Sequence, residues 1–193
     1  MHAFRPLKSD IGGKIPIFRF SELRNYMTVK ASAISAQSKS PGFNFMSTTG
    51  PIAEQIFGAY PKPLHLGISV SNLEESVKWY TQILGFETTK RLDLPEVQFR
   101  VAILEYQGFG VELIEVKGSS KYSLAWNEPG PQHRIQGIVH FAFRVDDLGA
   151  TEKVLRERGA RFACEPTVLE GLGIRYFHIF DNDGNLIEFG QSL

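Results

Sequence analysis

The sequence predicts an α+β protein built from two βαβββ modules. Three observations support this: a strand-helix pattern occurs twice, turn signals separate most of the strands that follow each helix, and 42% of the 193 residues are hydrophobic, enough for a sizeable core. The two copies begin at Leu64 and Val139, an offset of 75 positions. Each has a histidine as the second strand residue, at His65 and His140.

The first copy opens with LHLGISV, in which apolar side chains alternate with small or polar ones as in a half-buried strand. The pair Ser71 and Glu74 predicts a capping box for the next helix, and Gly85 predicts its end. The apolar stripe of that helix is Leu73, Val77, Tyr80 and Leu84. Three strands are predicted next: FETTKRLDL, VQFRVAILEY and, after the turn signal YQGFG, GVELIEV.

The second copy opens with VHFAFRV, followed by a helix that Asp146 or Asp147 caps and that Gly159 ends. The three later strands are RFACEPTVL, IRYFHIF and NLIEFGQ. The DNDGN segment before the last strand is a strong hairpin signal. The segment between the copies is rich in Gly, Pro and Ser, and we expect a partly ordered loop near whatever the two halves enclose.

Residues 1–50 differ in charge from the rest of the chain. They carry seven Lys or Arg against Asp10 and Glu22, so an N-terminal part of +5 precedes a body of −5. We expect a basic, Ser-rich extension over 1–50, either flexible or a targeting segment, and a folded domain over 51–193. Within that domain we expect module one at about 62–117, a linker at 118–137 and module two at about 138–191.

Composition excludes several partners. The 21 basic and 21 acidic residues balance, which argues against nucleic acid, and no apolar run approaches the roughly 18 residues that span a bilayer. One cysteine, Cys164, excludes an internal disulfide, and we expect it to be a small buried thiol. These features predict a cytoplasmic protein, with organelle targeting through residues 1–50 as the alternative.

A carboxylate in the last strand of each copy matches the histidine in the first strand. Glu112 follows His65 by 47 positions, and Glu188 follows His140 by 48. If the halves fold alike and pack together, these four side chains converge on one point. Two imidazoles and two carboxylates suit a divalent transition ion, with coordination positions left for water or substrate.

Three questions stay open at this site. Glu115 is a rival to Glu112, but the two are three apart and face opposite sides of a strand, and only Glu112 has the spacing of Glu188. His178 has no counterpart in the first copy, where Ile103 stands, and is interpreted as a pocket-lining or core residue before a ligand. The metal is undecided among Ni, Co, Zn, Mn and ferrous Fe.

At these residues the chain resembles the vicinal oxygen chelate superfamily, which includes glyoxalase I, methylmalonyl-CoA epimerase, extradiol dioxygenases and the fosfomycin and bleomycin resistance proteins. The resemblance covers about residues 62–191. It is carried by LHLGISVSNLEESVKWYTQILGF, GVELIEV, GIVHFAFRVDDL and DNDGNLIEF, the last with Asn182 where proline is common. It implies paired modules forming an open, curved mixed sheet around a metal, with the two histidines and two glutamates named above at the ligand positions.

A glutamate at position 112 resembles glyoxalase I rather than the epimerase or the dioxygenases. This implies a lyase or isomerase whose metal binds vicinal oxygens of the substrate and stabilises an enediolate, with Glu188 or Glu112 as the general base. Ser69 and Val116 stand where bacterial glyoxalase I has an arginine and an asparagine that help bind glutathione. The implied substrate is therefore a small oxygenated carbon acid that need not be a glutathione adduct.

Arg144, Trp126 and His178 are the candidate substrate-binding residues: the arginine for an anionic group, the tryptophan as a cover from the long loop, and the histidine as pocket lining. A small-molecule substrate and a homodimer are expected, and whether modules pair within one chain or between two is open. Two alternatives remain: a ferrous ring-cleaving dioxygenase that uses both first-strand histidines and Glu188, and a non-catalytic protein that sequesters a ligand.

Overall fold

The computed structural model describes residue 56 and residues 63–120 and 136–193. All the strands belong to a unit that covers residues 61–193. The predicted extension over 1–50, the domain start at residue 51 and Trp126 lie outside the described residues and stay predictions. So does the choice between a cytoplasmic and an organelle location.

Module one has the predicted order of strand, helix and three strands. Its elements are β1 (His65–Val70), α1 (Leu73–Leu84), β2 (Glu87–Leu94), β3 (Phe99–Tyr106) and β4 (Phe109–Val116), with a 3₁₀ turn at Pro95–Val97. The sheet order is β1-β4-β3-β2, with β1 parallel to β4 and the other pairs antiparallel. The mixed pairing arises because α1 carries the chain over the sheet before β2 begins.

Module two repeats this plan. Its elements are β5 (His140–Arg144), α2 (Leu148–Glu157), β6 (Arg161–Leu169), β7 (Ile174–Phe180) and β8 (Leu186–Ser192), with a 3₁₀ turn at Glu170–Leu172. The sheet order is β5-β8-β7-β6, again with one parallel pair, β5 with β8. The α+β class and the duplicated βαβββ plan are confirmed. Within the described residues the strands form two four-stranded sheets rather than one continuous sheet.

The predicted capping box of α1 is wrong. The N-cap is Asn72, whose side chain accepts hydrogen bonds from the backbone N–H groups of Glu74 and Glu75 at 3.0 and 3.2 Å. Ser71 instead donates its hydroxyl to Asp183 of module two at 2.5 Å. Ser71 therefore bonds to a residue that is distant in sequence instead of capping α1. The side-chain oxygen of the next residue, Asn72, caps the helix in its place.

The second helix begins at the cap of Asp147, one of the two predicted candidates, whose carboxylate accepts from the N–H of Ala150 at 2.9 Å. The first backbone N–H of each helix also donates a hydrogen bond to a side chain from the last strand of its own module. Glu115 accepts from Leu73 N–H at 2.6 Å, and Gln191 accepts from Leu148 N–H at 3.0 Å. Each helix start is thus tied to the strand that carries a candidate ligand.

One hydrophobic core joins the two modules. It lies on the helix-facing sides of both sheets, and the aromatic rings of Phe86 and Phe109 from module one pack on Phe143 from module two. The fully buried members include Leu73, Tyr80, Leu104, Val111, Leu113, Leu148, Phe177, Ile179 and Ile187. Since this core occupies one face of each sheet, the opposite faces are left for the polar candidate residues.

The turn between β7 and β8 fastens module two to the start of α1. Asp183 accepts hydrogen bonds from both the N–H and the hydroxyl of Ser71, and the buried hydroxyl of Tyr80 donates to Asp181 at 3.0 Å. The side-chain amide of Asn182 donates to Ser76 at 2.9 Å. These bonds fix the position of β8, the strand of Glu188, relative to module one. Among the described residues, neither α-helix has the length and apolar composition that a membrane span requires.

Candidate metal centre

Module one presents a single histidine-glutamate pair. The parallel register of β1 and β4 places Gly67 opposite Glu112, so His65 and Glu112 point out of the same face, away from α1. His65 Nε2 lies 3.3 Å from Glu112 Oε2, and the two side chains are 35% and 28% exposed. A Cβ atom on Gly67 would lie 3.6 Å from Glu112 Oε2, so the glycine keeps open the space beside the carboxylate.

Glu115 does not share this face. Its carboxylate lies on the helix side of the sheet, where it accepts from Leu73 N–H and lies 3.4 Å from Arg100. These contacts give Glu115 a structural role at the start of α1, and Glu112 is the carboxylate beside His65.

Module two presents three candidate ligands. His140 Nε2 lies 3.4 Å from Glu188 Oε2, and His178 Nε2 lies 3.2 Å from the same oxygen. One potential ligand atom from each of the three residues lies within 4.8 Å of the other two. We call these residues the module-two cluster. His178 belongs to it because the antiparallel register of β7 and β8 places His178 directly opposite Glu188.

Cys164 supports His178 from the next strand. The register of β6 and β7 pairs the two residues, the backbone N–H of His178 donates to the Cys164 sulfur at 3.3 Å, and the sulfur lies 3.6 Å from His178 Nδ1. Cys164 is half-buried rather than fully buried as expected. No local pattern in the sequence predicts this contact, because it depends on register shifts in β6 on both sides of Cys164.

The single chain separates its candidate ligands into two groups. In the part of the chain that the structure describes, His65 and Glu112 form a pair that is not part of the module-two cluster. The predicted convergence of two histidines and two glutamates on one point therefore stays a prediction, because the two groups are separate among the described residues.

The module-two cluster fits a divalent ion. Ligand atoms about 2.1 Å from a shared ion lie about 3.0 to 3.4 Å from one another in octahedral or tetrahedral coordination, and the separations of 3.2 and 3.4 Å agree with this. Two imidazoles and a carboxylate are donors that first-row transition ions accept. Gly190, whose added Cβ would lie 3.7 Å from Glu188 Oε1, leaves space beside the carboxylate.

Arg144 is exposed on the same face of β5 as His140. Ser69 is exposed on the corresponding face of β1. A cleft of about 390 Å³ runs beside β1 and the start of β5, and its lining includes Ser69, His140 and Asp183. Of the candidate ligands, His140 alone is among the residues that line the cleft. The cleft therefore lies beside the candidate ligands and does not enclose them.

Two buried titratable residues at the module boundary, Asp181 and Tyr80, have raised pKa values. Burial raises the pKa of the Asp181 carboxyl, an effect that hydrogen bonds from Asn185 and Tyr80 oppose. Burial, followed by the charge of Asp181, raises the pKa of Tyr80 well above its usual range. The phenol is therefore a permanent hydrogen-bond donor to Asp181 at neutral pH.

The duplicated plan and the ligand positions agree with a known family. Residues 62–189 match the family model described as the Glyoxalase/Bleomycin resistance protein/Dioxygenase superfamily. The chain belongs to this superfamily. The match covers both modules and all five candidate ligands.

Curated relatives of the chain carry glyoxalase names. It is 28% identical over 136 residues to a probable chloroplastic lactoylglutathione lyase of Arabidopsis thaliana, covering 67% of this chain and 36% of the relative. It is also 28% identical over 133 residues to a probable lactoylglutathione lyase of Synechocystis, covering 67% of this chain and 94% of that protein. The chain thus spans about a third of the plant relative and almost the whole of the cyanobacterial one.

Solved structures of the superfamily share the fold. A glyoxalase family protein from Enterococcus faecalis aligns with a TM-score of 0.58 at 22% identity, covering 68% of this chain and 98% of that one. Glyoxalase I from Zea mays aligns with a TM-score of 0.54 at 24% identity, covering 68% and 47%. At these identities the likeness concerns the fold.

Proposed function

We propose that this protein is a divalent-metal-dependent lyase or isomerase of the glyoxalase type, which moves a proton on a carbon next to a carbonyl group. One observation carries the proposal: each module places a histidine and a glutamate on the same sheet face, 3.3 Å apart in His65 and Glu112 and 3.4 Å apart in His140 and Glu188. The superfamily membership and the lactoylglutathione lyase names of the relatives support it.

In this proposal His65, Glu112, His140 and Glu188 hold the ion. A bound divalent ion supplies a positive charge that polarises the substrate carbonyl and stabilises the negative charge of its deprotonated form. Glu188 and Glu112 are the candidate general bases, because their carboxylates adjoin the place where such a carbonyl would be held. Arg144, exposed on the strand of His140, would bind an anionic group of the substrate.

The four ligands would meet in a homodimer. Module one of one chain would face module two of its partner, because the pair and the module-two cluster are separate within a chain. The sheet faces that carry the ligands also expose Leu92, Val116 and Leu169, at 37%, 38% and 43%. A second copy packed on these faces would cover the three side chains.

The substrate class is a small 2-oxygenated carbonyl compound, such as a hydroxyacyl adduct or a thioester. Ser69 is a small exposed hydroxyl on the strand of His65, and Val116 is an apolar residue on the strand of Glu112. Neither supplies the charged or amide contacts implied for glutathione. We therefore expect slower turnover of a glutathione adduct than of an adduct with a smaller thiol.

The test is turnover by metal-reconstituted full-length protein. Methylglyoxal is offered with glutathione and, separately, with smaller thiols, and proton exchange at the carbon next to the carbonyl is followed by NMR in D₂O. We expect exchange that requires metal and falls by about 100-fold or more in Glu188→Gln. Exchange that persists in metal-free protein, or that Glu188→Gln leaves unchanged, would contradict the proposal.

A second candidate function is a ferrous ring-cleaving dioxygenase. His140, His178 and Glu188 form a two-histidine, one-carboxylate set, which is the donor set of many non-haem iron oxygenases. Catechol-dependent oxygen uptake by the Fe²⁺-loaded protein would favour this candidate over the first. Tight binding of a compound that is recovered unaltered, with metal dispensable, would favour a ligand-sequestering protein.

A further inference from the structure

We propose that His178 is a fifth metal ligand, so that module two alone supplies three donors, His140, His178 and Glu188, and retains a divalent ion when the donors of module one are removed. The inference rests on the metal dependence proposed above. It adds a ligand that the repeated sequence pattern does not predict, since Ile103 occupies the matching position in module one.

The distances favour a shared ion over a hydrogen-bonded pair. Two imidazole nitrogens, one from His140 and one from His178, approach the same oxygen of Glu188 at 3.4 and 3.2 Å. Charge-assisted hydrogen bonds between an imidazolium and a carboxylate are shorter, about 2.7 to 2.9 Å. The two separations from Glu188 Oε2 match those between ligand atoms that share one ion, about 3.0 to 3.4 Å.

Cys164 sets the orientation that His178 needs. A neutral imidazole carries its proton on one nitrogen, and a metal-bound histidine usually donates that proton to a neighbouring acceptor. His178 Nδ1 lies 3.6 Å from the Cys164 sulfur, which can accept its proton. With that proton on Nδ1, Nε2 would present its lone pair on the side of Glu188 Oε2, 3.2 Å away, where both atoms would bind one ion. Cys164 is thus a positioning residue for His178.

Burial holds His178 in this orientation. The residue is 5% exposed, and the rings of His140 and Tyr176 pack edge-to-face on it with centroids 5.0 and 5.4 Å away. A side chain that is already fixed loses little conformational freedom when it binds an ion. His178 also gives module two a second imidazole donor that remains when the Glu188 carboxylate serves as the general base.

The test is the affinity of the full-length protein for Zn²⁺ and Co²⁺, measured by competition with a chelator. His178→Ile installs the residue that module one has at this position. Since loss of an outer-shell partner costs about 10- to 100-fold in affinity, loss of a ligand is expected to cost about 100-fold or more. The matched control is Tyr176→Phe, a change on the same strand face that removes no donor from the cluster, and it is expected to keep wild-type affinity.

A count of coordinated imidazoles makes the test independent of folding losses in one variant. Pulsed EPR of Cu²⁺ bound to His65→Ala is expected to report two imidazoles, and Cu²⁺ bound to His65→Ala/His178→Ile is expected to report one. One imidazole in both proteins would overturn the assignment. Cys164→Val, which leaves His178 in place, is expected to lower the metal affinity about tenfold, while Cys164→Ser retains an acceptor and most of the affinity.

Two patterns separate this inference from the proposed function. If His178→Ile binds metal as the wild type does while His140→Ala does not, His178 is not a ligand and the proposed metal-dependent function stands. If the wild type itself binds no divalent ion, both proposals fail.

Discussion

The two modules share a fold but differ in how their candidate ligands are supported. In module one, His65 and Glu112 are partly exposed and stand beside the apolar Ile103. In module two, the equivalent pair contacts His178, which is buried and held by Cys164. The two modules therefore keep the same ligand positions but differ in the residues around them. In the proposed metal centre, module two contributes more donors and is expected to contribute more of the metal affinity.

The largest expected effect comes from removing the ligands of one module at a time. His140→Ala/Glu188→Ala is expected to lower metal affinity by more than about 1000-fold, and His65→Ala/Glu112→Ala by about 100-fold, because module two keeps three donors when module one is lost. Chelator competition on both variants measures this. Equal losses would remove the proposed asymmetry between the modules.

The next effect concerns the contact that joins the modules. Tyr80→Phe removes the buried hydrogen bond to Asp181 and is expected to lower the free energy of unfolding by about 1 to 3 kcal/mol, since the carboxylate loses a partner in the core. Urea denaturation measures the loss. Tyr106→Phe, at a tyrosine that is 55% exposed, is the control and is expected to stay within about 0.5 kcal/mol of the wild type.

Module one can also be made to resemble module two. Ile103 lies opposite Glu112 as His178 lies opposite Glu188, so Ile103→His is expected to add an imidazole donor to the module-one pair. We expect metal affinity in a His140→Ala/Glu188→Ala background to rise about tenfold. Ile103→Leu is the matched control, and an equal rise in both variants would show that the new imidazole is not the cause.

The helix caps offer a smaller comparison between the modules. Asn72→Ala and Asp147→Ala each remove the side chain that accepts from the first turn of its helix, and each is expected to cost about 1 kcal/mol of stability. Thermal unfolding of both variants measures the cost. A loss confined to Asp147→Ala would indicate that Ser71, rather than Asn72, caps α1.

The smallest effect is a dependence on pH at the module boundary. Burial raises the pKa of Asp181 in the folded state, so its protonated form is favoured there. Its contribution to stability is complete below the pKa of the unfolded chain, about 3.9, and is lost as the pH rises through the raised value. Asp181→Asn is expected to flatten this decline. The free energies of unfolding of the wild type and of Asp181→Asn, measured from pH 3 to pH 7, test this prediction. A wild-type free energy of unfolding that rises with pH relative to that of the variant would contradict it.

The repeat in the sequence predicted most of the fold because alternation along a strand is a local property. The bounds of β6 and β7 agree with the predicted segments RFACEPTVL and IRYFHIF. The cap at Ser71 was predicted wrongly because its partner Asp183 lies 112 positions away, and a local motif carries no information about such a contact.

The candidate centre was predictable only where it followed the repeat. His65, Glu112, His140 and Glu188 face the predicted sides of their strands because side-chain direction follows from alternation. His178 was interpreted as pocket lining, and its approach to Glu188 depends on the register between β7 and β8. The separation of the pair from the module-two cluster depends on how the modules pack, which no spacing in the sequence determines.

The most direct test of the shared metal centre is a mixed dimer. Chains carrying His65→Ala/Glu112→Ala are combined with chains carrying His140→Ala/Glu188→Ala, and the number of Zn²⁺ sites with wild-type affinity is measured. A centre formed between subunits predicts one such site per mixed dimer, made from the intact module of each chain, and none in either parent. No site of wild-type affinity in the mixed dimer would contradict the account.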